Sequence, residues 1–250
     1  MSQVAKLAVF AGSGSPRLTA AICHHLGIEV GRSEGASFSD GNTFVRLLDN
    51  VRGRDVFFVQ TVCRPANDRF MELLFLIDAA RRASAGSVTA VIPFFSYGKG
   101  DKKDEPRVSI RGRVCADCLE AAGADRVVTM DLHAPQIQGF FRVPVDHLYG
   151  LPLIVDHFRE TVSGTGWTVV APDVGFGKMA NLYAAALGVP TVIAEKVRAA
   201  HDESAIVQRL IGSVAGKSAL IVDDFMTTGG TLAATAERLI AEAPPPSTPP

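Results

Sequence analysis

The sequence predicts an α/β protein of two tandem domains, each a mainly parallel sheet flanked by helices. Short apolar runs of strand length alternate with amphipathic stretches of helix length along the chain, as when helices cross between parallel strands. The rhythm occurs twice, and in each half one strand ends on aspartate. Arg126–Met130 runs into Asp131, and Ala219–Val222 runs into Asp223 and Asp224. Ligands of such sheets sit beyond the carboxyl ends of the strands, so both acidic clusters are candidate sites.

In the first half, Lys6–Phe10, Val56–Gln60, Val88–Pro93 and Arg126–Met130 are short apolar runs expected to be buried strands. Asp68–Arg82 and Ile110–Ala122 between them have helical spacing. In the second half, Thr168–Ala171, Thr191–Ile193 and Ser218–Val222 are expected strands, and Lys178–Leu187 and Ser204–Ile211 expected helices. The break between halves falls near Asp146–Pro152, giving domains over residues 1–147 and 148–242. The tail, residues 243–250, is proline-rich and can neither extend a helix nor join a sheet.

Of the 250 residues 47 % are apolar and 20 % charged, a globular and not a disordered balance. Lys plus Arg number 25 against 26 for Asp plus Glu, so no bulk basic field argues for nucleic acid. The N-terminus has no long apolar stretch and no run reaches membrane-spanning length, which excludes a membrane protein and implies a cytoplasmic address. Cys115 and Cys118 have redox or zinc spacing, but they lie in a helical pattern with no second pair to complete four ligands. Two reduced cysteines on a partly buried helix is the expectation.

Residues 219–232 carry the most chemistry. An apolar strand ends on Asp223 and Asp224, the loop Thr227-Thr228-Gly229-Gly230-Thr231 follows, and a helical pattern then runs through Leu232, Ala236, Leu239 and Ile240. Backbone N–H groups of such a loop, backed by a helix N-terminus, favour a phosphate. The adjacent carboxylates can accept hydrogen bonds from sugar hydroxyls or hold a hydrated Mg²⁺. A ribose 5-phosphate has both ends of that pattern. A strand edge with a glycine-softened turn would account for either half of the motif alone, but seldom for the whole.

This segment resembles the phosphoribosyl-diphosphate loop shared by phosphoribosyltransferases and phosphoribosyl diphosphate synthases. Further stretches resemble ribose-phosphate diphosphokinase. They are Phe38-Ser-Asp-Gly41, Asn67–Leu74, Thr89–Pro93, Asp101–Asp104, Thr129–Ala134, Gln136–Phe141, Pro144–Asp146 and Ala171–Gly175. The resemblance implies two phosphoribosyltransferase-like domains, and transfer of diphosphate from ATP to the anomeric hydroxyl of ribose 5-phosphate. It implies Mg²⁺ as cofactor, and a homo-oligomer whose ATP site is shared between subunits.

By the same resemblance, Lys196 and Arg198 are the catalytic cations, and the loop 199–203 after them is a candidate lid. Phe38 and Asp40 contact adenine in a neighbouring subunit, and Lys99, Asp101 and His133 complete the ATP side. Asp173, Asp223, Asp224, Thr227, Thr228, Gly229, Gly230 and Thr231 hold ribose 5-phosphate. Asp131, His133 and Asp173 serve the metal. Asp131 and His133, as alternate residues of an extended strand end, are expected to face one side.

Several positions depart from the family pattern. Asn42 stands where Glu is usual, Lys99 replaces Arg, Gly100 replaces Gln, Thr227 replaces a frequent Asp, and Arg142 replaces an acidic residue. In the family two further strands and a helix follow the point where the tail begins, so the second domain is expected to be incomplete. The tail and the changed ATP-side positions keep open a non-catalytic subunit that assembles with a longer synthase. The Thr227–Thr231 form alone keeps open a phosphoribosyltransferase.

Overall fold

The computed structural model describes residues 6–198 and 205–242, with side chains omitted from description at 196–198 and 205–208. The chain divides into two compact units, Met1–Tyr149 and Gly150–Pro250. The division lies two residues from the boundary expected from sequence.

Unit 1 runs β1 (Leu7–Ala11), α1 (Pro16–Leu26), an antiparallel hairpin of β2 (Ser33–Ser37) and β3 (Thr43–Leu47), β4 (Asp55–Val59), α2 (Ala66–Arg82), β5 (Ser87–Ile92), α3 (Arg111–Ala122), β6 (Arg126–Met130) and β7 (Val145–Leu148). A five-stranded sheet in the order β1-β4-β5-β6-β7 is parallel throughout. Its inner strands are rich in Val, Ile and Phe because both faces are covered; Phe58, Val88 and Ile92 are fully buried. α2 buries Phe70, Leu73, Leu76, Ile77 and Ala80, one stripe at helical spacing. Cys115 and Cys118 lie on α3, the first buried and the second half-buried, both free thiols. Burial pushes the Cys115 thiol up to about 12, which suits a packed and unreactive side chain.

Unit 2 runs α4 (Leu151–Phe158), β8 (Trp167–Ala171), α5 (Gly177–Leu187), β9 (Thr191–Arg198), β10 (Ala205–Ile211), β11 (Ser218–Ile221) and α6 (Gly230–Glu242). Its sheet has the order β10-β9-β8-β11, parallel except for β10. A smaller core gathers Val169, Ala171, Ala180, Tyr183, Ala184 and Val222. Among the described residues no helix is long and apolar enough to cross a membrane.

Two local expectations are corrected. The helix expected over Ser204–Ile211 is the strand β10, paired antiparallel with β9 from Ala205↔Arg198 to Ile211↔Ile193. Its short run of Ile, Val and Leu fits either period, and the available edge of β9 settles the choice. β9 itself continues to Arg198, well past Ile193 where the expected strand stopped. The candidate lid at 199–203 lies outside the described residues.

Candidate active site

The carboxyl end of β11 carries the phosphate-loop pattern in three dimensions. Val222 still donates to Val170 O at 3.0 Å, so the backbone leaves the sheet only at the two aspartates. Asp224 N–H donates to Asp223 Oδ1 and Phe225 N–H to Asp224 Oδ1, both at 3.0 Å. Gly229 has φ 82, a left-handed turn that favours glycine, and α6 starts at the next residue. Among the described residues, the backbone N–H groups of Thr227, Thr228 and Gly229 have no partner, while Gly230 N–H reaches only the Thr228 hydroxyl at 3.5 Å. Open donors at a helix N-terminus are what an anion needs.

The charge balance behind the loop is unfavourable until something positive or hydrogen-bonding arrives. Burial first, and then the Asp224 charge, push the Asp223 carboxyl up to about 6, and Asp173 adds to the repulsion. Asp173 follows β8, where its Oδ1 accepts the Phe176 N–H at 3.0 Å. A local turn therefore uses one oxygen of Asp173 while its charge is still felt at Asp223. Mg²⁺ takes one or two carboxylates and completes its shell with water and substrate oxygens, so this donor set fits it. Among the described residues, no group of three or more His, Cys, Asp or Glu is arranged around one ion position. Lys196 and Arg198 occupy alternate positions within β9, in register with Val207 and Ala205, and not in a loop after the strand.

In unit 1 the Asp131 segment differs from its expected form. Asp131 has φ 44, so the chain turns there and does not continue as extended strand. Leu132 and Ala134 are buried in the core, while Asp131 is half-exposed and His133 exposed. Asp131 N–H donates to Leu148 O at 3.0 Å, and Leu132 N–H donates to His147 Nε2 at 3.0 Å. Burial holds the His147 pKa below its ordinary value, against the pull of Asp131.

Lys99 ends a short 3-10 turn, Ser96–Lys99, after β5 and is exposed; Asp101 is half-buried. Gly100 has a steric reason to be glycine, since a Cβ there would lie 2.6 Å from Arg111 Nε. Phe38 sits at the tip of the β2–β3 hairpin, 55 % exposed. Asp40 accepts from the Asn42 backbone at 3.0 Å and from its side-chain amide at 2.7 Å, which lowers its pKa. The unusual Asn42 therefore fastens the carboxylate beside it. Arg142 donates its backbone N–H to Glu120, and Asp146 pairs with Arg126 at 2.7 Å.

Sequence reasoning missed His147, which no motif marks, and the hairpin, whose Ser-Glu-Gly-Ala-Ser strand has no apolar run. A cleft of about 440 Å³ between the β1–α1 loop, the hairpin and α2 is lined by none of the expected site residues. Asp131 and His133 follow β6 in unit 1, while Asp173 follows β8 and Asp223 and Asp224 follow β11 in unit 2.

The profile of the N-terminal domain of ribose phosphate pyrophosphokinase matches residues 7–123, and that of the phosphoribosyl transferase domain matches residues 153–245. The chain is 45 % identical over 234 residues to the ribose-phosphate pyrophosphokinase of Caldanaerobacter subterraneus, covering 94 % of this chain and 74 % of the relative. It is 47 % identical over 237 residues to that of Porphyromonas gingivalis, covering 95 % and 75 %. The crystal structure of phosphoribosylpyrophosphate synthetase from Mycobacterium smegmatis is similar with a TM-score of 0.88 at 38 % identity, over 95 % of this chain and 78 % of that one.

Proposed function

The chain belongs to the ribose-phosphate pyrophosphokinase family, and from that premise we propose how its residues divide the reaction. The enzyme transfers diphosphate from ATP to ribose 5-phosphate, forming phosphoribosyl diphosphate and AMP. The anomeric oxygen of the sugar forms a bond to the β-phosphorus and gives up its proton. The bond between that phosphorus and the oxygen bridging to the α-phosphate breaks, and AMP leaves with the electron pair. Such a transfer depends on in-line positioning and on cations facing the phosphoryl oxygens.

The open N–H groups at Thr227–Gly229 carry the proposal for the sugar phosphate. Thr227, Thr228, Gly229, Gly230 and Thr231 receive the 5-phosphate. Asp223 and Asp224 accept from ribose hydroxyls. Asp173 serves ribose 5-phosphate and Mg²⁺ on the sugar side, and Asp131 and His133 serve the metal on the nucleotide side. Bound Mg²⁺ supplies Lewis-acid charge against the phosphate oxygens. Lys196 and Arg198 stabilise charge that develops during transfer. Phe38, Asp40, Lys99, Asp101 and His133 bind ATP. Exposure of Phe38 supports its completing the site of another subunit in a homo-oligomer. Substrates that are phosphorylated metabolites support a cytoplasmic address.

The test is AMP and phosphoribosyl diphosphate formation from ATP, ribose 5-phosphate and Mg²⁺. Lys196→Ala should lower turnover about 100-fold, near 3 kcal/mol, and leave ribose 5-phosphate binding nearly intact. Equal losses in binding and turnover would place Lys196 in the ground-state site instead. Mixing Phe38→Ala chains with Lys196→Ala chains tests sharing. Subunit exchange without recovered activity would mean that each chain builds its own ATP site.

A further inference from the structure

The turn that follows β6 is held from an unexpected direction. Asp131 adopts φ 44, a region that costs an L-residue energy and persists only where neighbours over-determine it. Two consecutive residues of β7 provide that constraint. Leu148 O accepts the Asp131 N–H and His147 Nε2 accepts the Leu132 N–H, each at 3.0 Å. The Leu132 side chain is buried, so an unpaired N–H beside it would be difficult to hydrate. Because Nε2 presents a lone pair to Leu132, the ring's one proton belongs on Nδ1, which faces the Gln138 amide nitrogen at 3.3 Å, a donor that cannot accept it. The ring also packs against Tyr149 with centroids 4.4 Å apart. His147 therefore ties β7 to the Asp131–His133 turn.

We propose that His147 is a positioning residue for the nucleotide side: by accepting the Leu132 N–H it fixes the turn that presents Asp131 and His133 to ATP. The inference rests on the proposed ATP role of those two residues. It requires an acceptor at Nε2 and not an imidazole as such. A glutamine, whose side-chain oxygen reaches about as far, should substitute, whereas an apolar side chain of similar bulk should not.

The test compares His147→Leu, His147→Gln and Asp131→Asn in the full chain. His147→Leu should lower kcat/KM for ATP about tenfold, since displacement of a positioning group by a fraction of an ångström is costly. KM for ribose 5-phosphate should stay within about twofold, because the change does not touch the groups that bind it. Hydrogen–deuterium exchange of the peptide containing Leu132 should become about tenfold faster. His147→Gln should be close to the unaltered protein in all three readouts. Unchanged exchange in His147→Leu, or a His147→Gln variant as impaired as His147→Leu, overturns the proposal. If exchange quickens but ATP kinetics hold while Asp131→Asn impairs them, the role of His147 alone falls. If Asp131→Asn also leaves ATP kinetics unchanged, the ATP-side assignment falls, and this inference with it.

Discussion

Each unit places a glycine-bearing loop between the carboxyl end of a strand and the start of a helix, yet the two loops spend their backbone donors differently. After β1, Gly12 N–H donates to Val59 O at 2.9 Å and Ser15 N–H to Gly12 O at 3.0 Å. Ser13 N–H donates to Glu72 Oε1 at 3.0 Å, and Gly14 N–H to Gln60 Oε1 at 2.8 Å. Every donor of Gly12–Ser15 is thus consumed, one of them by a carboxylate standing where an external anion could have bound. Glu72 also accepts the Ser13 hydroxyl and the Gln60 amide. After β11, the N–H groups of Thr227, Thr228 and Gly229 remain open. A glycine loop at a sheet's carboxyl end is an anion site only if its donors are unspent.

The sharpest way to break this comparison is to add one methyl group to each loop. Gly14→Ala would put a Cβ 2.6 Å from Thr61 O, a backbone atom that cannot step aside. It should destabilise unit 1 by about 2–3 kcal/mol through overpacking and leave ribose 5-phosphate affinity unchanged. Gly229→Ala meets only Met226 Sδ at 3.6 Å but sits at φ 82. It should cost about 1–2 kcal/mol of local strain and weaken ribose 5-phosphate binding about tenfold. Calorimetric titration and thermal unfolding of both variants decide the matter. Reversed effects would mean that the loops have been assigned the wrong way round.

Glu72→Ala probes the filled loop directly. It leaves Ser13 and the fully buried Gln60 with unpaired donors and should cost about 2 kcal/mol in thermal unfolding. Wild-type stability in that variant would show the carboxylate to be incidental.

Asp223→Asn probes the open loop. The Asp223 pKa is raised from 3.8 to about 6 in the folded protein. Its contribution is therefore fully present below pH 3.8 and lost as pH rises through about 6. Replacement by a neutral amide should stabilise the Mg²⁺-free protein at pH 7.5 by on the order of 1 kcal/mol, discounted for a half-exposed group. The gain should fade as pH falls through about 6 and vanish below pH 3.8, where the aspartate is protonated in both states. The lone tryptophan, Trp167 in β8, reports the unfolding of unit 2 by fluorescence. A gain independent of pH would place the cause outside the carboxylate repulsion.

The smallest effect is expected at Thr129, whose buried hydroxyl in β6 has no partner. Thr129→Val should be neutral or stabilising by up to about 1 kcal/mol in denaturant unfolding. A clear loss would show that the Thr129 hydroxyl makes a stabilising polar contact in the folded protein.

The architecture and the candidate loop at Thr227–Thr231 were legible in the chain because both are written in local patterns. Strand-length apolar runs at 87–92 and 126–130, a helical stripe through α2, and two carboxylates followed, after Phe225 and Met226, by Thr-Thr-Gly-Gly-Thr each span fewer than about 18 residues, the reach of periodicity. What tertiary structure alone decided involves partners far apart in sequence. Glu72 fills the Ser13 loop from 59 residues away and Gln60 caps Gly14 from 46. β10 is a strand because β9 offers an edge, and the Asp131 turn is bent because residues of β7 hold its N–H groups. Asp223 is hard to ionise because burial in the packed fold makes its charge costly, with the neighbouring Asp224 charge next and Asp173, on a different strand end, adding least. Local spacing determines which backbone segments become strands and helices. Whether a loop donor or a carboxylate is left free for substrate depends on which distant side chains the packed fold brings beside it.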